Sequence, residues 1–132
     1  MTHLNGDFLV VKDHPRIIFR GKLDTLESEL ILCQLTDRSL EAPVGEILEL
    51  ARRIIRCEVL DEPLQWDRLC GLTEEEQRKR SHFPQDYYGQ PHFMPSAADG
   101  AAIARLNRAR CAAREAELAA VTAKQDKFPL LT

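Results

Sequence analysis

From Pro15 onward the apolar positions Phe19, Leu23, Leu26, Leu30 and Cys33 return every three or four residues, the spacing of one helix face. Pro15 suits a first-turn position, where no intrahelical N–H is needed. The pattern predicts a helix from Pro15 to about Leu35. A second run, Val44, Ile47, Leu48, Ala51, Ile54, Ile55 and Val59, predicts a helix from about Pro43 to Leu60. Pro63 stops it, because proline cannot continue the hydrogen-bond ladder. Thr73 with Glu76 three residues on is a capping box for a short third helix through "EEEQRKR". The stretch "HFPQDYYGQPHFMPS", punctuated by Pro84, Gly89, Pro91 and Pro95, reads as a loop. Ser96 or Asp99 then caps a long alanine-rich helix that ends near Lys124. Residues 1–11 and 125–132 are expected to be flexible ends. The expectation is all-α: one domain over 1–132, a bundle of three longer helices and one short one.

Composition narrows the class. The chain has 132 residues, 44% hydrophobic and 30% charged, with a net charge of −3. That is enough for one domain with a real core. The balance is globular rather than disordered. With no basic block, nucleic acid is not an expected partner. Cys33, Cys57, Cys70 and Cys111 form no CxxC pair, which excludes a zinc ribbon and a disulfide scaffold and fits a reducing cytosol. No secretion signal is expected at the N-terminus, and no apolar run reaches membrane-spanning length. The histidines His3, His14, His82 and His92 show no ligand spacing, so no metal site is assigned. The expected location is the cytoplasm.

The alanine-rich helix carries the sequence's most pointed chemistry. At about 100° per residue, Ile103, Leu106, Arg110, Arg114, Glu117 and Val121 fall within roughly 80° of one another. Ala109, Ala113, Ala116 and Ala120 form an adjacent small-residue seam, predicted to pack on the first helix. Arg105, Arg108 and Glu115 fall on a separate, wet face. Two readings of the Arg110–Arg114–Glu117 stripe stand at this point. It is either a solvated row of i,i+3 and i,i+4 ion pairs, or an anion site in which arginine forks grip phosphate oxygens and a glutamate holds them.

Two segments bear a resemblance that separates these readings. "KDHPRIIFRGKLDTLES", Lys12 to Ser28, carries Lys-x-x-Pro-Arg and then Gly-x-x-Asp with a following Leu and Ser. Glu62 to Glu117 carries the Ser81-His82 pair, the proline of the loop, and Arg-x-x-x-Arg-x-x-Glu at Arg110, Arg114 and Glu117. In this order they resemble the ATP:cob(I)alamin adenosyltransferases, above all the ethanolamine-utilisation type and more distantly the propanediol-utilisation type. With the second helix, the likeness covers most of positions 12–121.

The resemblance implies ATP, magnesium and cobalamin as the molecules bound. It implies a transferase that moves the 5′-deoxyadenosyl group of ATP to cob(I)alamin with release of triphosphate. Arg110, Arg114, Glu117 and Asp24 then belong to the catalytic machinery, and Lys12 and Arg16 join Arg110, Arg114 and Glu117 around ATP. The residue matching Asp24 pairs with the one matching Arg110 across a subunit boundary, so a homotrimer is expected. Tyr87, His92, Phe93 and Met94, with Tyr88 beside them, are candidates to face the corrinoid, displacing its lower ligand and excluding water. They could equally cap the end of the bundle. Association with a bacterial microcompartment is a further expectation of this type. The family's Gly-rich N-terminal phosphate loop, its His and Cys-Cys-x-x-Cys motif, and its fifth helix with an Asn-Arg have no counterpart here. The chain therefore reads as a family core trimmed at both ends. The alternatives are a non-catalytic relative that binds corrinoid or nucleotide, and a helical assembly module whose Arg/Glu stripe is an oligomer interface.

Overall fold

A computed structural model describes residues 1–124; the tail expected at 125–132 lies outside the described residues. The chain opens with β1 (Thr2–Asn5) and β2 (Phe8–Val10), then runs through α1 (Pro15–Thr36), α2 (Glu41–Leu60), α3 (Glu74–His82), α4 (Pro84–Tyr88) and α5 (Ala101–Lys124). Short 3-10 turns occupy Arg38–Leu40 and Ala97–Asp99.

The long helices start and stop where their residues require. Pro15 opens α1, and His14 caps it by accepting the Arg16 N–H at 3.1 Å. Pro43 falls in the first turn of α2, where its missing N–H costs nothing. Asp61, in the left-handed region at φ 53°, closes α2. The capping box of α3 is formed as expected: the Glu76 N–H reaches Thr73 Oγ1 at 3.2 Å, and the Thr73 N–H reaches Glu76 Oε1 at 3.4 Å.

α1 is the centre of the bundle, with α2 on one side and α5 on the other. The α5 packing is antiparallel, because Glu29 faces Arg105 and Arg108 while Lys22 faces Glu115. Phe19, Leu23, Leu26, Leu30 and Cys33 of α1 fill the core. They meet Val44, Leu48 and Ala51 of α2, and Ala109, Ala112, Ala116 and Ala123 of α5. Small side chains let the α5 backbone come close to α1. The predominantly helical expectation stands.

Four details differ from it. The α5 seam is centred on Ala112 and Ala123 as well as Ala109 and Ala116, with Ala113 exposed and Ala120 half-buried. Part of the expected loop is helical, as α4. Ser96 and Asp99 box the 3-10 turn at 97–99 rather than capping α5 directly. Finally, residues 2–10, read as a flexible lead, form an antiparallel hairpin that buries Leu4 and Val10. Gly6 makes its turn at φ +51°, a conformation glycine adopts without steric cost.

Candidate functional site

Two sets of charges on α5 have separate fates. Arg105, Arg108 and Glu115 reach α1: Arg108 Nε lies 3.7 Å from Glu29, Arg105 Nη1 3.9 Å from Glu29, and Glu115 3.9 Å from Lys22. The face read as merely wet is thus the one that stitches the two helices together. Arg110, Arg114 and Glu117 are all exposed, and among the described residues none of the three joins an ion pair.

The stripe lies between two apolar hollows. Arg110 donates from Nε to Asn107 Oδ1 at 3.1 Å. It lines a cavity of about 290 Å³ with Phe93, Pro95, Ile103 and Leu106. Glu117 stands on a groove of about 310 Å³ walled by Phe19, Leu23, Leu26, Ile54 and Leu64. Arg114 lines neither hollow; it stands one turn from Arg110 and just under one turn from Glu117. Phe93 therefore joins the loop to the arginine stripe. Tyr87 and Tyr88 turn to Arg80 of α3, whose guanidinium carbon lies 5.3 Å and 6.0 Å from their ring centres, within cation–π range. His92 and Met94 are exposed.

The structure does not gather every expected residue within one chain. Asp24 is on the exposed side of α1, where its backbone carbonyl accepts the Ser28 hydroxyl at 3.2 Å. Lys12 is exposed in the turn before α1, closed by the His14 N–H to Val11 carbonyl bond at 3.0 Å. The antiparallel register sets Arg110 level with about Leu26, roughly 15–20 Å along the axis from the start of α1 at 1.5 Å per residue. Arg16, expected beside ATP, is instead buried in the fold: its Nε lies 2.6 Å from Glu58 Oε1, and its Nη2 is 2.9 Å from the Glu58 carbonyl and 2.7 Å from Asp61 Oδ1.

Glu58 is what the sequence reading missed. Its side chain is completely buried, and Arg20 Nε takes its second oxygen. A buried carboxylate persists only with such partners. The signal was present: on the face of Val44, Leu48, Ala51 and Ile55, the next inward position is a glutamate.

Three groups elsewhere in the chain have shifted acidities. Hydrogen bonds from the Thr73 side chain and backbone hold the Glu76 carboxyl below its usual range, with a smaller contribution from Arg68 and Arg80. Burial, then Glu29, raises the Cys33 thiol, and burial, then Glu46, raises Cys70. The four cysteines are free thiols. Among the described residues no cluster of three or more His, Cys, Asp or Glu side chains could hold a metal, and no helix is long and apolar enough to cross a membrane.

Comparison with known proteins identifies the family. A family described as cobalamin adenosyltransferase matches residues 1–130. The corrinoid adenosyltransferase EutT of Salmonella typhimurium strain LT2 is 34% identical over 118 residues, 89% of this chain and 44% of the relative. The protein of the same name from Escherichia coli strain K12 is 32% identical over 121 residues, 91% of this chain and 45% of its own. The chain thus spans less than half the length of these curated relatives. No solved structure matches it significantly. With the match running through the hairpin, the Lys12 turn, the Glu58 network and the Arg110–Arg114–Glu117 stripe, the chain belongs to the cobalamin adenosyltransferase family.

Proposed function

We propose that this chain is the ATP-handling helical core of a corrinoid adenosyltransferase. The observation that carries the reading is the exposed stripe of Arg110, Arg114 and Glu117, which joins no ion pair among the described residues while Arg105 and Arg108 on the same helix meet Glu29 of α1.

The reaction asks little covalent chemistry of the protein. Cobalt(I) of a reduced corrinoid attacks the 5′ carbon of ATP, the Co–C bond forms, the C5′–O bond breaks, and triphosphate leaves with the electron pair. The nucleophile comes with the substrate, so no serine, cysteine or general base is needed. The protein holds the reacting atoms in line and stabilises charge gathering on the leaving group. Arg110 and Arg114, one helical turn apart, offer two planar forks to the triphosphate oxygens. Glu117, three residues on, is spaced to steady the second fork once triphosphate is bound.

The 290 Å³ hollow between Phe93 and Arg110 sets an apolar surface beside the phosphate-binding charges. Phe93, with His92 and Met94 on the same loop and Tyr87 behind it, would face the corrinoid and keep water from the reacting cobalt. Lys12 lies roughly 15–20 Å along the α1 axis from the level of Arg110, and Asp24 stands on the exposed side of α1 without an ion pair to Arg110 among the described residues. They act from a neighbouring copy in a homo-oligomer, a trimer in this reading, with Asp24 of one copy orienting Arg110 of the next. Arg16 stays with Glu58.

Among the described residues the donor set does not make a protein cage for magnesium. It fits the ordinary use of that ion, which keeps its waters and rides on phosphate oxygens with one or two carboxylates nearby. Glu117 is the carboxylate placed for that, and the ion would neutralise leaving-group charge. The proposed location is the cytoplasm, in association with a microcompartment; the similarity to the EutT proteins supports that reading.

The test is anaerobic incubation with ATP and a chemically reduced corrinoid. Adenosylated corrinoid and triphosphate in equal amounts are expected. Tight binding of both molecules with no product would leave a binding relative in place of an enzyme.

A further inference from the structure

A fully buried glutamate gripped by two arginines is an expensive arrangement to keep in a small bundle, and it is tied to the N-terminal hairpin. Arg16 and Arg20 lie one turn apart on α1 and take the two oxygens of Glu58 on α2. The outer nitrogens of Arg20 then leave the bundle. Its Nη1 donates to the His3 carbonyl at 3.3 Å, and its Nη2 to the Leu4 carbonyl. Arg16 Nη2 bonds Asp61 at 2.7 Å, and Asp61 in turn accepts the Asn5 side-chain amide. Among the described residues, these bonds of Arg20 and Asp61 end on β1 of the hairpin.

β1 pairs with β2, with Thr2 opposite Val10 and His3 opposite Leu9. β2 leads into the turn of Val11 to His14, and Lys12 is the first central residue of that turn. Its other side is fixed by the His14 cap and Pro15 at the start of α1. The backbone of Lys12 therefore has two anchors, α1 behind it and the latched hairpin before it.

We infer that Glu58 is a positioning residue for Lys12: through Arg20 and Asp61 it latches the hairpin, and the hairpin aims Lys12 at the triphosphate. The inference rests on the proposed ATP-binding role of Lys12. Glu58 itself touches no substrate. Its carboxylate acts by fixing the two guanidinium planes, which leaves the far nitrogens of Arg20 turned to the β1 carbonyls. Lysine at position 20 would keep the charge but lose that fork.

The test uses the whole chain and ATP as the probe. Asn5→Ala and Arg20→Lys open the latch while leaving Glu58 a cationic partner in Arg16, and Glu58→Gln removes its charge. Because Glu58→Gln risks unfolding the bundle, the two latch variants carry the test. Each is expected to weaken ATP binding about five- to tenfold, with corrinoid affinity unchanged and with faster hydrogen exchange confined to amides 2–12. In a Lys12→Ala background the same substitutions should cause no further loss. Latch variants that bind ATP like the parent, while Lys12→Ala binds weakly, overturn the inference and leave the proposed function standing. Equal losses with and without Lys12 also overturn it, because the latch would then act on the bundle at large. A parent chain that binds no ATP overturns both.

Discussion

Arg16 Nε lies 2.6 Å from Oε1 of Glu58, an oxygen that no solvent reaches. Removing one member of a buried, hydrogen-bonded ion pair strands the other, at a typical cost of about 3–5 kcal/mol. Glu58→Ala should therefore lower unfolding free energy by that order in urea titration. Replacing the exposed Glu62 with alanine should change it by less than about 0.5 kcal/mol.

The α1–α5 contact depends on small side chains. Ala112 and Ala116 are buried against α1, so Ala112→Leu should overpack the seam and cost about 1–3 kcal/mol. Ala113→Leu, one residue on but exposed beside the Glu117 groove, should be nearly neutral. Thermal melts of the two variants check this, and equal losses would place the seam one position away.

α3 should be sensitive to acid. Its Glu76 carboxyl is held below the usual range mainly by Thr73. A carboxyl whose folded pKa is depressed contributes stability above its unfolded pKa, and that contribution is lost as pH falls through the folded value. Helix 74–82 should thus fray as pH drops below the ordinary carboxylate range near 4.5. Thr73→Ala should produce similar fraying at neutral pH, for a loss of about 0.5–2 kcal/mol. Amide exchange over 74–82 reads both effects.

Much of the bundle was legible because its signals are local. Pro15, the Thr73–Glu76 box and the returning leucines of α1 each act within one or two turns. The α5 seam was harder: alanines occur on several faces of that helix, so periodicity could not say which row meets α1. The hairpin had a signal in Asn5-Gly6, a favoured turn pair, but its strands are too short to show alternation. Arg16 matched the family pattern by position, and only tertiary structure reveals that Glu58, 42 residues on, claims it. The Arg110–Arg114–Glu117 stripe was readable as a stripe. That its charges are spared while Arg105 and Arg108 are paired depends on the register of α1 against α5.

Assembly offers its own check. If Asp24 of one copy orients Arg110 of the next, sedimentation of the parent should give a trimer, and Asp24→Ala should shift it toward smaller species. A stable monomeric parent would contradict the intersubunit site.

The central claim is that the stripe on α5 binds triphosphate, and calorimetric titration of the chain with ATP and with inorganic triphosphate tests it most directly. The parent should bind both at millimolar affinity or tighter. Arg114→Lys keeps the charge but loses the two-point fork, and should weaken both by about ten- to hundredfold, the equivalent of about 1.5–3 kcal/mol. A parent that binds neither, or an Arg114→Lys variant that binds both as the parent does, would contradict the account.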